Sequence, residues 1–259
     1  MKKVRRNTYY FLVSFLSAVM ILTAVFANPA EIEAATASQT KKVLASSKVS
    51  ATELYIIDSG KPGPVVMIVG GIHGNEIAGY RAASKFTNAK IKKGKLLVLP
   101  QANKRAVAIS RRTASRGSDL NRSFPRTSRG SANTYIARDI YKTVKDYKVD
   151  WLIDMHEGFD YYKNKKTNSV GQTLIYYPSS KMTPMAKKIV NTVNKDISKS
   201  YRKFTLLRYP VKGSLARSSG QFLGVNAFIF ETSMKQTLST RINQQQKAAN
   251  ILLRELGML

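Results

Sequence analysis

Beyond the first fifty positions, short apolar runs alternate with segments of helical periodicity. Runs typical of strands cover residues 53–57, 65–69, 95–99, 151–154, 173–177, 205–209 and 227–231. Apolar residues recur at helical spacing over residues 76–86, 134–147, 182–197 and 240–256. This alternation predicts an α/β fold in which a largely parallel or mixed sheet is covered by helices on both faces.

The N-terminal segment has the layout of an export signal. Four basic residues occur within the first six positions, and residues 9–27 then carry no charge. Small residues follow, including Ala35-Thr36-Ala37, which is similar to a cleavage site. Residues 1–35 are therefore predicted to be a signal peptide, or an uncleaved anchor because the apolar run is just long enough to span a bilayer. Either form predicts a secreted or cell-surface protein, and the wall-associated surface of a bacterium fits best.

Residues 36–50 show no apolar periodicity and predict a linker, so that one folded domain covers residues 51–259. The chain has a formal charge of +28, and residues 1–35 contain four bases and two acids, which leaves +26 for the remainder. An anionic wall polymer is the expected partner, with anionic lipid head groups and extracellular nucleic acid as alternatives. The charge is spread along the chain without an aromatic stacking signature, which disfavours nucleic acid. Since the chain contains no cysteine, disulfides, thiolate metal sites and cysteine nucleophiles are excluded.

Two histidines are present in the whole chain, and each follows an apolar strand pattern. The carboxyl ends of parallel strands meet at one edge of a sheet, so His73 and His156 are expected to converge. Glu76 follows His73 by three residues across a glycine-rich turn. Two imidazoles and one carboxylate suit a single Zn²⁺ ion with an open position for water, and the alternative is two histidines that only form hydrogen bonds. Asp154 lies two residues before His156 and can accept its ring N–H or cap a neighbouring helix.

Residues 111–133 show neither helical nor strand periodicity and contain six arginines. A loop of this length in a compact domain is usually functional.

Four ordered motifs resemble the zinc carboxypeptidase superfamily and are most similar to its succinylglutamate desuccinylase and aspartoacylase branch. They are His73-Gly74-Asn75-Glu76, Asp119-Leu120-Asn121-Arg122-Ser123-Phe124-Pro125, Asp154-Met155-His156-Glu157 and Phe230-Glu231-Thr232. The resemblance covers most of residues 63–235. It implies a mixed, mostly parallel sheet of about eight strands, and a zinc hydrolase catalytic domain over residues 51–259 with the three ligands named above.

The same resemblance implies roles for further residues. Glu231 takes the position of the general base and acid, with Glu157 as the competitor. Glu231 is preferred, because a side chain next to His156 in a strand points to the opposite face. Asn121 and Arg122 are expected to contact a carboxylate of the substrate, which a guanidinium binds with two parallel hydrogen bonds.

Three other side chains are also candidate site residues. Either Arg112 or Arg116 is expected to polarise the scissile carbonyl, and a solvated basic surface is the alternative for both. Tyr209 ends a predicted strand and either donates a hydrogen bond to the substrate or only packs.

The C-terminal part departs from the branch, whose members carry a further β-rich segment. Residues 232–259 predict a single helix instead, which favours a more open site. Together with export, this favours a metallocarboxypeptidase-like enzyme acting on cell-wall or other peptides with a free carboxylate. An N-acyl amino acid deacylase is the first alternative. A non-catalytic, cationic wall-binding protein is the second, although the complete ligand set and Glu231 favour an enzyme.

Overall fold

The computed structural model describes residues 36–115 and 119–259. The predicted signal or anchor over residues 1–35, and Arg116, lie outside this part. Among the described residues, no helix has the length and apolar character needed to cross a bilayer.

The strands are β1 Ser38–Leu44, β2 Thr52–Asp58, β3 Val65–Gly70, β4 Lys95–Leu99, β5 Trp151–Gly158, β6 Thr173–Tyr176, β7 Thr205–Arg208 and β8 Asn226–Ser233. The α-helices are α1 Ile77–Ser84, α2 Lys104–Ala108, α3 Tyr135–Asp146, α4 Met182–Asn194, α5 Leu215–Leu223 and α6 Leu238–Glu255. Short 3₁₀-helices cover Leu120–Arg122 and Ser200–Arg202.

All eight strands form one sheet in the order β1-β2-β4-β3-β5-β8-β6-β7. The central strands β4, β3, β5 and β8 pair in parallel, and so do β6 and β7. The pairs β1–β2, β2–β4 and β6–β8 are antiparallel. The predicted mixed, mostly parallel sheet of about eight strands is confirmed.

Alternate side chains of the central strands enter two separate apolar cores. On β3, Val66 and Ile68 pack under α1, α4 and α6, whereas Met67 and Val69 pack under α3 and α5. A strand that is buried on both faces must be apolar at successive positions, which explains the unbroken run Val65-Val66-Met67-Ile68-Val69. Helices therefore cover both faces, as predicted.

The predicted linker over residues 36–50 is wrong for Ser38–Leu44, which form β1 and pair antiparallel with β2. The first six residues of β1 are exposed and only Leu44 is buried, so the sequence shows no alternation. Backbone hydrogen bonds hold this edge strand, and they leave no trace in the side-chain pattern. Helix α5 was not predicted either, although Ser214 caps its first turn and Gly224 ends it with a φ of +71°.

Candidate metal centre and catalytic cavity

Three neighbouring parallel strands place the predicted ligands and general base at one edge of the sheet. His73 follows β3 after Gly71, whose φ of +67° is a left-handed conformation that favours glycine. His156 lies on β5, and Glu231 is its register partner on β8. Glu76 immediately precedes α1. The convergence expected from strand-end positions is therefore present in the fold.

The carboxylate of Glu76 lies between the two imidazoles. Its Oε1 is 2.7 Å from His73 Nδ1, and its Oε2 is 2.8 Å from His156 Nδ1. All three side chains are buried, and each offers one ligand atom within 4.8 Å of the others. Two nitrogens and one carboxylate oxygen that face a common point fit a divalent ion such as zinc.

The outer nitrogen of each imidazole faces a second carboxylate. His73 Nε2 lies 2.9 Å from Asp119 Oδ1. His156 Nε2 lies 3.1 Å from Asp154 Oδ1, although neither atom completes a hydrogen bond of good geometry. Such outer carboxylates orient a ligand ring and raise its basicity. The sequence suggested this role for Asp154 but assigned none to Asp119.

Burial and neighbouring charges act in opposite directions on the pKa values of this cluster. Burial by itself would lower the pKa of His156, but Asp154 and Glu76 outweigh it and raise that pKa well above its ordinary value. His73 shows the same balance, and its pKa is raised by Glu76 and Asp119. Burial would raise the pKa of Glu76, whereas the two imidazoles lower it well below its usual range. The surrounding carboxylates therefore favour positive charge at this point.

Glu231 lies beside the cluster in a cavity of about 460 Å³. It is 7% exposed, and its Oε2 has no hydrogen-bond partner among the described residues. Burial, with Glu76 adding to it and His156 opposing it, raises the pKa of Glu231 to about 8. A carboxyl group that lines a cavity and has an oxygen without a hydrogen-bond partner can exchange a proton with a bound molecule.

Glu157 also lines the cavity but its oxygens are already occupied. Oε1 accepts a hydrogen bond from Arg241 Nη1 at 2.6 Å, and Oε2 accepts one from the Ala78 amide at 2.8 Å. Helices α6 and α1 thus hold this carboxylate in place. Of the two glutamates, Glu231 has the freer carboxyl group.

Three polar residues of the arginine-rich loop reach the same cavity. Arg112 Nη1 is 3.5 Å from Glu76 Oε1, and its Nη2 donates to Asp119 Oδ2 at 3.0 Å. Arg122 Nη1 donates to the Asn121 carbonyl at 2.9 Å. The side chain of Asn121 is buried, and its Oδ1 has no hydrogen-bond partner within the described residues. This wall can therefore accept and orient an anionic, hydrogen-bonding group.

Tyr209 does not line the cavity. It is 56% exposed, and its ring packs edge-on against Tyr177 at 5.9 Å with Arg217 at 5.1 Å. The structure thus supports the packing alternative for Tyr209. Arg116 lies outside the described residues and stays a prediction.

An apolar wall of the cavity was not predicted. It is formed by Phe159, Val170, Ile175, Val211, Ile229 and Met234. Of these, only Ile229 could have been predicted from the sequence, because it lies two residues before Glu231 and so on the same face of β8. No sequence pattern places the loop residues at the cavity.

An eight-stranded mixed sheet with this cluster at the ends of its central strands defines a carboxypeptidase-like α/β fold. Residues 62–172, less than half of the chain, match the family model described as the succinylglutamate desuccinylase/aspartoacylase catalytic domain. A stretch of 100 residues, 37% of the chain, is 35% identical to N-alpha-acetyl-L-2,4-diaminobutyric acid deacetylase from Halomonas elongata. It covers 29% of that protein.

Solved structures of other proteins share the fold. The mDAP-bound form of Helicobacter pylori Csd4, described as a D,L-carboxypeptidase, matches at a TM-score of 0.64 and 19% identity, covering 76% of this chain and 52% of Csd4. Succinylglutamatedesuccinylase/aspartoacylase from Rhodobacter sphaeroides matches at a TM-score of 0.60 and 16% identity, covering 86% of this chain and 66% of that one.

The family model and the deacetylase confirm the resemblance to the desuccinylase and aspartoacylase branch over part of the chain, and the solved structures confirm the carboxypeptidase-like fold. The proteins matched include hydrolases of acyl and peptide bonds. The chain spans about half the length of Csd4 and under a third of the deacetylase.

Proposed function

We propose that this protein is an exported, zinc-dependent hydrolase that cleaves an amide bond next to a free carboxylate. The observation that carries the proposal is the cluster of His73, Glu76 and His156, whose ligand atoms lie within 4.8 Å beside a cavity that also contains Glu231. The family match over residues 62–172 supports the reaction class. The basic, uncharged and small-residue regions of residues 1–35 support export.

A zinc ion held by these three residues would acidify water and polarise the substrate carbonyl. Glu231 would take a proton from the attacking water and transfer it to the leaving nitrogen. Its carboxyl group must be ionised to do so. Burial raises the pKa of Glu231, and the positive charge of a bound metal ion would lower that pKa again and favour the ionised form.

The loop residues would position the substrate. Arg122 and Asn121 would bind its free carboxylate, using the guanidinium fork and the buried amide. Arg112 lies close to Glu76 and would stabilise the carbonyl oxygen as negative charge develops. The contact of Arg112 with Glu76 supports this role, and Arg116 lies outside the described residues.

Cell-wall peptides are the proposed substrates. The fold shared with the D,L-carboxypeptidase Csd4 and the strongly basic surface both support this choice. A deacylase of N-acyl amino acids is the second candidate, because the 35% identity to a deacetylase falls on a sizeable segment of the chain.

Amine release from two substrate sets tests the proposal: purified peptidoglycan peptides and N-acyl amino acids. The purified protein is assayed with and without chelator, together with Glu231→Gln and the control Glu255→Gln, which changes an exposed carboxylate in the same way. Release that chelator and Glu231→Gln abolish, and Glu255→Gln does not, supports the hydrolase and identifies the substrate class. No release from either set by the zinc-loaded protein would favour the non-catalytic wall-binding alternative.

A further inference from the structure

Two separate segments form a basic surface beside the catalytic cavity. One is the loop of residues 159–172 between β5 and β6, and the other is residues 199–203 around the second 3₁₀-helix. Their six cationic side chains, together with Tyr161, Tyr162 and Tyr201, are here named the cation–tyrosine patch. The cations are Lys163, Lys165, Lys166, Lys199, Arg202 and Lys203.

Specific contacts join the two segments. Lys163 Nζ donates to the Ser200 carbonyl at 2.8 Å, and the ring of Tyr161 meets that of Tyr201 edge-on at 5.3 Å. The side chain of Gln172 donates from Nε2 to the Arg202 carbonyl at 2.8 Å. The patch is therefore a defined surface of the fold.

The charge of the patch is not neutralised from within the described protein. None of its six cations forms an ion pair with a described carboxylate, in contrast to Lys188 with Glu255. Asp160, the one acid in the two segments, is 8% exposed and accepts hydrogen bonds from the Tyr161 amide and from Asn164. Like charges that gather without counter-ions create a potential that attracts a polyanion.

Aromatic rings lie between these charges. Tyr201 is 44% exposed, with the Arg202 guanidinium 5.4 Å from its ring centre, and Lys165 Nζ is 3.9 Å from the ring centre of Tyr162. Tyrosine supplies a rigid contact surface that is apolar on its face and polar at its tip. A sugar ring presents a matching apolar face with polar edges. Cations interleaved with tyrosines therefore suit a polymer of charged sugars.

The loop that carries part of the patch also lines the catalytic cavity, through Phe159, Asn168, Ser169 and Val170. Phe159 is 58% exposed. A polymer held on the patch would keep peptides attached to it at high local concentration near the cavity.

We propose that the cation–tyrosine patch binds an anionic glycan polymer of the cell envelope and retains the protein where its substrate peptides occur. The choice of an envelope polymer rests on the proposed function, whereas the patch itself rests on the contacts described above.

The test measures binding of the full chain to fluorescently labelled polygalacturonate, with neutral dextran and single-stranded oligo(dT) as comparison polymers. The first variant is Lys163→Glu/Lys165→Glu/Lys166→Glu. The matched control is Lys85→Glu/Lys90→Glu/Lys92→Glu, which makes the same charge change at exposed lysines far along the chain. Tyr201→Ala tests the aromatic contribution.

We expect the patch variant to weaken polygalacturonate binding about tenfold or more, and the control to weaken it less than about threefold, because patch charges act locally. Tyr201→Ala is expected to weaken binding about threefold with little change in its salt dependence. Dextran is expected not to bind. Thermal unfolding verifies that each variant is folded, and amine release from a short soluble peptide is expected to stay unchanged.

Equal weakening by the patch variant and the control would overturn the proposal, since net charge alone would then explain binding. Tighter binding of oligo(dT) than of polygalacturonate would also overturn it, in favour of a nucleic acid. Because Glu231→Gln is assayed for peptide hydrolysis and these variants for polymer binding, the two proposals fail separately.

Discussion

Arg241 and Glu157 form a buried ion pair that joins α6 to β5 next to His156. Their closest atoms are 2.6 Å apart, and the two side chains are 14% and 0% exposed. Arg241→Met keeps much of the apolar stem but leaves the carboxylate of Glu157 without its cationic partner.

Removing one member of a buried pair typically costs about 3–5 kcal/mol. The Ala78 amide remains at 2.8 Å in the first turn of α1, and a helix N-terminus stabilises an anion by about 0.3–1 kcal/mol. We therefore expect Arg241→Met to lower the free energy of unfolding by about 3 kcal/mol, near the lower limit. For a domain of this size, that corresponds to a fall in Tm of about 6–12 °C.

The penalty should depend on pH. Burial raises the pKa of Glu157, and Arg241 opposes this by lowering it. Loss of Arg241 therefore raises the pKa of Glu157 further. A carboxyl group that binds its proton more tightly in the folded state destabilises the fold above its unfolded pKa, and the cost disappears as pH falls below that value. The penalty is thus expected at pH 7 and should shrink towards pH 4.

Urea unfolding of the chelated protein at both pH values measures this difference. Glu157→Gln/Arg241→Met should recover much of the lost stability, and Arg254→Met, on an exposed part of α6, should change little. A pH-independent penalty that the double variant does not relieve would contradict a role for the ion pair, because it would mean that only packing was lost.

Three other predictions concern a support of the metal cluster, the cluster itself and the catalytic cavity. Gln245 donates from Nε2 to the His156 and Phe230 carbonyls at 2.7 and 3.2 Å. Gln245→Leu should therefore lower the free energy of unfolding by about 1–3 kcal/mol, measured by urea titration. An unchanged unfolding midpoint would contradict this. Because the pKa of His156 is raised, a zinc ion must displace a proton from this imidazole when it binds. Calorimetry should therefore show zinc affinity rising as the pH increases from about 6 to 8. A zinc affinity that stays constant over this range would count against these ligands. Arg122→Lys keeps the charge but loses the guanidinium fork, so kcat/KM should fall about tenfold for substrates with a free carboxylate; equal activity would remove Arg122 from carboxylate binding.

The central sheet could be predicted from the sequence because burial on both faces requires unbroken apolar runs, as in Val65-Val66-Met67-Ile68-Val69. Strand β1 could not, since its first six residues are exposed and backbone pairing holds it. Helix α2 has only five residues, too few for a repeating pattern.

The ligand positions were readable because His73 and His156 follow two strong strand patterns, and strand ends of a parallel sheet converge. Asp119 and His73 are 46 residues apart in sequence, and their contact depends on how the long loop folds back onto the sheet. No local sequence pattern predicts that contact. The cation–tyrosine patch was missed for the same reason. Its two segments are far apart in sequence, so the charge looked evenly spread until the fold brought Lys163 to Ser200.

We propose that Glu231 transfers protons beside a metal held by His73, Glu76 and His156. The most direct test is the turnover number of zinc-loaded Glu231→Gln on the substrate that the unmodified protein cleaves, with zinc content measured in both. We predict one zinc per chain in each protein and a fall in kcat of about 10²–10⁴-fold in the variant, the range that a positioned proton-transfer group contributes. An undiminished kcat in the zinc-loaded variant would contradict the claim.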